Sequence, residues 1–294
     1  MNKSWITTVI FSLLFYLLFL FLYIQDVINE LIFLLLLFIS VLILFISLIV
    51  LAVAQKKRVI NIAISTSIIF VLFCYEFPLI GYYTASHIAY GYLDPVEALE
   101  GSMIYSIGIN TMYVREEESK HAVEELLTKQ HVDVLSVIEM NNRIIYGVKN
   151  RQLLTWLHLR KELSPEETKE KVALYLGQED EWLKTFLNRP NTAGESAGLS
   201  LVLSGRFKKG DFENQVPIAV TGAINKNGDV LRVGGLKEKI QITEKAGIPF
   251  MIVPSKNAEE VATLQKEIKA NVEIFDVSHV DEAIQVINDL NENP

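Results

Sequence analysis

The first 83 residues hold three apolar runs, Trp5 to Ile24, Leu31 to Val53 and Val59 to Tyr83. Each is close to the ~20 residues an α-helix needs to cross a bilayer. The first run is too long for the core of a cleaved signal peptide, and no small-residue cleavage site follows it before Gln25. All three are expected to be retained membrane helices. The loops orient them. Asp26 and Glu30 lie in the first loop without any positive charge, whereas Lys56, Lys57 and Arg58 fill the second and Lys3 precedes the first helix. Positive charge stays on the cytoplasmic side. The expectation is a multi-pass protein of the cell membrane with a cytoplasmic N-terminus and everything after Tyr83 outside. Trp5, Tyr23, Tyr75, Tyr82 and Tyr83 suit the interfaces. Glu76, beside Pro78, is expected to leave the hydrocarbon and reach the interface.

Charge divides the chain at the same place. Its 294 residues carry a formal net charge of −8, and nearly all the acidic side chains lie beyond residue 83. The second part is therefore an acidic domain long enough for a core of its own. Its charge argues against nucleic acid, which needs clustered Lys and Arg. The one cysteine, Cys74, falls in the apolar part, so residues 84–294 can form no internal disulfide or cysteine metal site. The five histidines are scattered without metal-site spacing. No cofactor is expected.

Residues 84–103 read as a juxtamembrane linker, with Asp94-Pro95 as a turn signal. From Ile104 onwards, strand and helix patterns alternate. Ile104 to Val114 reads as a strand, Glu116 to Gln130 as a helix, and Val132 to Val148 as two strands joined at Asn141-Asn142. Gln152 to Glu162 is helical. Ser164-Pro165-Glu166-Glu167 has the form of a cap and first turn for a helix to about Leu176. Asp180 to Leu187 reads as a further short helix. Ile218 to Ile224 and Asp229 to Val233 flank Lys226-Asn227-Gly228, a hairpin signal. Phe250 to Val253 (strand), Ala258 to Lys269 (helix), Val272 to Phe275 (strand) and Val280 to Leu290 (helix) complete an α/β (α+β) domain over 104–294.

Chemistry concentrates between Asn191 and Lys239. Gly194-Glu195-Ser196-Ala197-Gly198 presents a serine at the start of an apolar helix, Leu199 to Phe207. Thr221-Gly222 and then Val233-Gly234-Gly235-Leu236-Lys237-Glu238-Lys239 follow, and no histidine lies between Ser196 and Lys239. A nucleophilic serine here needs a different base, and lysine can serve if burial lowers its pKa. Leu236, Ile240 and Ile242 supply apolar neighbours, and Gly234-Gly235 lets backbone approach closely. Helical geometry allows only one of Lys237 and Lys239 to face the serine.

These blocks resemble the proteolytic domain of the Lon family of serine–lysine peptidases. The family's Asp-Gly-Pro-Ser-Ala-Gly is matched at Gly194, Ser196, Ala197 and Gly198, with Ala193 in place of its Asp and Glu195 in place of its Pro. Its Thr-Gly is Thr221-Gly222, and its Gly-Gly-Leu-Lys-Glu-Lys is present from Gly234 to Lys239. The family's Ser-to-Lys spacing of 43 recurs without a gap, since 239 − 196 = 43. The best-matched core is 191–253. The resemblance implies a serine endopeptidase with a Ser196–Lys239 dyad, Thr221 orienting the lysine, and Gly194, Ala197, Gly234 and Gly235 shaping the site. Lys237 would then be a solvated residue.

Family members usually carry a fused ATPase. This chain has no Gly-x-x-x-x-Gly-Lys-Ser/Thr phosphate loop, so cleavage is expected to proceed without ATP. Its partners are a protein or peptide substrate, extracytoplasmic or membrane-tethered, and the lipid bilayer. Homo-oligomerisation, common as rings in the family, is left open. Two alternatives stand beside this reading. One is a catalytically impaired Lon-like domain serving as a membrane-bound sensor or scaffold. The other is the reverse topology, with a separate unfoldase feeding a cytoplasmic protease.

Overall fold

The computed structural model describes residues 4–54, 59–82, 84–115, 117, 119–157, 165–177, 181–187 and 195–292. In chain order the helices and strands are α1 (Ser4–Ile24), α2 (Glu30–Val53), α3 (Val59–Glu76), β1 (Ala85–Gly91), β2 (Val96–Glu97), β3 (Ile104–Ser106), β4 (Asn110–Arg115), α4 (Lys120–Lys129), β5 (Val134–Glu139) and α5 (Asn142–Trp156). There follow α6 (Pro165–Leu176), α7 (Glu181–Leu187), α8 (Gly198–Lys208), β6 (Ile218–Val220), β7 (Ala223–Ile224), β8 (Val230–Leu231), α9 (Leu236–Lys245), β9 (Phe250–Pro254), α10 (Ala258–Ile268), β10 (Glu273–Val277) and α11 (Val280–Glu292). The chain divides into two compact units. One comprises residues 1–87, 113–118 and 138–161; the other comprises 88–112, 119–137 and 162–294.

In the first unit three helices are long and apolar enough to cross a membrane: Ile6–Ile24, Glu30–Val53 and Val59–Tyr82. The third ends in a 3-10 turn, Phe77–Tyr82, where Pro78 removes a helical donor. Most of the exposed large apolar side chains belong to these helices, which is what lipid as solvent demands. Glu76 departs from the expectation that it reaches the interface. It is fully buried and pairs with Lys149 at 2.6 Å. Tyr16 and Tyr146 donate to its other oxygen at 2.6 and 3.0 Å. A buried carboxylate needs such partners, and Lys149, 73 positions away, is invisible to local reading.

Residues 142–148 form part of a helix, where a second strand was expected. Asn141 Oδ1 accepts from the Ile144 N–H at 2.9 Å, so this asparagine caps α5 and makes no hairpin turn. The stretch 84–103, expected as a linker, contains β1 and β2. The strand expected over 104–114 is two, β3 and β4, in different sheets. Ser164 lies outside the described residues, and Pro165 opens α6.

The second unit is built on a five-stranded sheet, order β10-β9-β6-β3-β2. Its strands run parallel except β2, which pairs antiparallel with β3. Alternation sorts the side chains. Ile218, Val220 and Ile252 enter a core with α6, α7, α8 and α11. Ala219, Met251 and Val253 enter another with α9 and α10. Helices on both faces of a largely parallel sheet make this an α/β domain. The expected hairpin is present only as β7 and β8. The strand before it breaks at Thr221-Gly222, and that break is where the candidate site forms.

Candidate active site

A short 3-10 turn, Glu195–Ala197, precedes α8 and carries Ser196, which is half-buried. The turn is tied to the break between β6 and β7. Gly222 N–H donates to the Ser196 carbonyl at 2.8 Å, and Leu199 N–H donates to the Gly222 carbonyl at 2.9 Å. The two segments pack so closely that a Cβ on Gly198 would stand 3.1 Å from Ile224 Cγ1 and 3.3 Å from its nitrogen. Glycine at that position lets the serine turn lie against the strand end. No side chain caps α8, so the amides of its first turn lack intrahelical acceptors.

Thr221 still belongs partly to the sheet, its N–H donating to the Ile252 carbonyl at 3.0 Å. Its side chain is completely buried. Lys239, in the second turn of α9, is only 4% exposed and donates to Thr221 Oγ1 at 2.9 Å. That hydroxyl in turn reaches the Ser196 carbonyl at 3.5 Å. Among the described residues no carboxylate pairs with Lys239. Burial alone therefore acts on it and pushes its pKa down to about 8. No hydrogen bond joins the Ser196 hydroxyl to the lysine amine; Thr221 is the shared partner of the two residues.

Of the two lysines, Lys237 lies on the other side of α9, half-exposed and paired with Glu267 at 3.0 Å. Glu238 is buried and accepts from Ser136 Oγ at 2.8 Å. Leu236, Ile240 and Ile242, on the same helix, are buried in the core cluster beneath α9. Gly235 opens the helix at φ +70°, where a Cβ would also meet Ile109 Cδ1 at 2.4 Å. Gly234 has nothing within 4 Å of such a Cβ, so only one glycine of the pair makes a close approach. Gly235→Ala is expected to lower stability by about 1–2 kcal/mol through left-handed strain, with Gly234→Ala near neutral. Equilibrium denaturation of the two variants checks this. Gly194 and Ala193 lie outside the described residues, and Ala197, the last residue of the serine turn, is buried.

One contributor carries no motif signal. Asn257, 1% exposed, accepts from the Val233 N–H at 3.0 Å and donates to its carbonyl at 3.1 Å. It clamps the chain just before the Gly235 turn and so fixes where α9 begins. A lone Asn after Pro254-Ser255-Lys256 looks like any loop residue, and only the spatial neighbour reveals its task.

Residues 190–289 match the family described as Lon protease (S16) C-terminal proteolytic domain. The Lon protease of Lawsonia intracellularis is 35% identical over 97 residues, 31% of this chain and 11% of the relative. That of Brucella abortus biovar 1 is 36% identical over 92 residues, 31% of this chain and 11% of the relative. That of Desulforamulus reducens is 35% identical over 99 residues, 32% and 12% respectively. The chain thus spans about a tenth of the length of these relatives. Three long apolar helices precede the stretch that matches this proteolytic-domain family.

Proposed function

We propose that this Lon-type domain is an active, membrane-anchored serine endopeptidase that uses Ser196 and Lys239 and cleaves without ATP. The observation that carries the reading is the buried Lys239 amine, without a counter-charge among the described residues and hydrogen-bonded to Thr221 beside the serine turn. A solvated lysine is protonated at neutral pH and cannot take a proton. One with a pKa near 8 is a workable general base.

In the proposed reaction the neutral Lys239 amine takes the Ser196 proton as Oγ attacks the scissile carbonyl carbon. Amides of the serine turn hold the oxyanion that forms. The C–N bond then breaks, and the Lys239 ammonium delivers its proton to the leaving amine. Water, deprotonated by the same amine, hydrolyses the acyl-enzyme and restores Ser196. Thr221 accepts from the amine and aims it throughout. Ala193 and Glu195, in the places of the family's Asp and Pro, bear on substrate preference.

The three helices anchor the enzyme, and the loop charges favour a domain outside the cytoplasm with extracytoplasmic or membrane-tethered proteins as substrates. Protease added to intact cells should then digest the domain; protection would favour the cytoplasmic topology. The deciding experiment is cleavage of casein by the detergent-purified full chain without ATP. Activity lost with Lys239→Ala and kept within about twofold with Lys237→Ala supports the dyad, because Lys237 lies on the surface. A wild type that neither cleaves nor labels with a serine-reactive probe at Ser196 would make the domain a scaffold.

A further inference from the structure

A cavity of about 500 Å³ opens within the first unit, at the end of the third apolar helix. Pro78 and Tyr82 of the terminal 3-10 turn form one wall, Tyr113 and Arg115 of β4 another, and Gln152, Leu153 and Trp156 of α5 a third. Three hydrogen-bond donors in this lining are unused. Arg115 is exposed and has no hydrogen bond or ion pair among the described residues. The Tyr113 hydroxyl likewise has no hydrogen-bond partner there. Gln152 accepts from the Tyr82 hydroxyl through Oε1 and keeps its NH₂ free. Among the described residues no carboxylate lines the cavity, and the other cation, Lys149, is already neutralised by Glu76 at 2.6 Å. Among the described residues one uncompensated guanidinium therefore governs the site.

We propose that this cavity binds the phosphodiester headgroup of an anionic phospholipid. Its wall includes the last turn of a candidate membrane span, Val59–Tyr82, so its contents lie at headgroup depth. Arg115 offers a planar fork that matches two phosphate oxygens, and Tyr113 and Gln152 add donors at its side. Trp156 is 73% exposed and Leu157 43%, apolar surface that suits a lipid's glycerol and first methylenes. A choline headgroup would bring its own cation beside an unpaired arginine, so the site favours an anionic lipid. The peptidase reading plays no part in the assignment.

The test is native mass spectrometry of the detergent-purified full chain titrated with phosphatidylglycerol, phosphatidylcholine and inorganic phosphate. Phosphatidylglycerol should bind at least about fivefold more tightly than phosphatidylcholine, and Arg115→Ala should abolish that preference. Arg115→Lys should restore part of it, and Tyr113→Phe should weaken it. Arg115 is exposed, so its variants should melt with the wild type. Equal retention of both lipids by the wild type, or an unchanged preference in Arg115→Ala, overturns the proposal. Inorganic phosphate competing as well as the lipid would make the site one for a free anion. An acidic peptide bound through Arg115 in place of lipid would make it a protein-docking site. Either result overturns the lipid assignment.

Discussion

Replacing Ser196 with alanine is expected to reduce casein cleavage by about three orders of magnitude or more while leaving the fold intact. The size follows from the proposed mechanism, in which Ser196 Oγ forms the acyl bond and residual hydrolysis without it relies on the oxyanion amides alone. Stability should hardly move. Ser196 is half-buried, its hydroxyl makes no hydrogen bond to the lysine, and the turn is held through its backbone carbonyl, which alanine keeps. A change within about 0.5 kcal/mol is expected for such a site. Thermal melting beside the cleavage assay separates the two effects. An alanine variant that still degrades casein at a comparable rate would remove Ser196 from the mechanism.

That prediction rests on residues that could be picked out from the sequence. Ser196, Thr221 and Lys239 sit in small-residue blocks whose chemistry is local: a turn, a strand end and the start of a helix. Their convergence was not readable from local pattern and entered only as what the family resemblance implies. It depends on β6 pairing in parallel with both β3 and β9, contacts between segments far apart in the chain. It also depends on a break in what reads as one continuous strand from Ile218 to Ile224. The same limit explains Glu76. An isolated carboxylate near a helix end reads as interfacial, because its partners Lys149 and Tyr146 come from a helix about 70 residues later. Asn141-Asn142 failed for the opposite reason, since asparagine pairs serve hairpin turns and helix caps equally well. The three long apolar helices were legible almost to the residue, because an apolar run of that length satisfies its own backbone groups as a helix.

The second large effect concerns Lys239, where activity and stability are expected to pull apart. Burial lowers its pKa from the ordinary 10.5 to about 8. In the proposed mechanism the neutral amine is the active base, so kcat/KM should rise with pH and level off above about 8, increasing about tenfold from pH 7 to pH 9. The sign for stability follows from the same shift. Between about 8 and 10.5 the unfolded chain still holds the proton that the folded chain has released, so stability rises with pH across that window. Below it, folding carries the full penalty of burying the charge, on the order of 3 kcal/mol for a shift of this size. Lys239→Met removes that penalty and leaves Thr221 Oγ1 without its donor, a loss of about 1 kcal/mol. The variant should therefore be inactive yet more stable than wild type at pH 7, with the advantage fading towards pH 10. Denaturation of both proteins at the two pH values reads this directly. A variant less stable at pH 7, or an activity profile flat from 7 to 9, would mean that Lys239 is charged and solvated in the working enzyme. It would then be unable to act as the base.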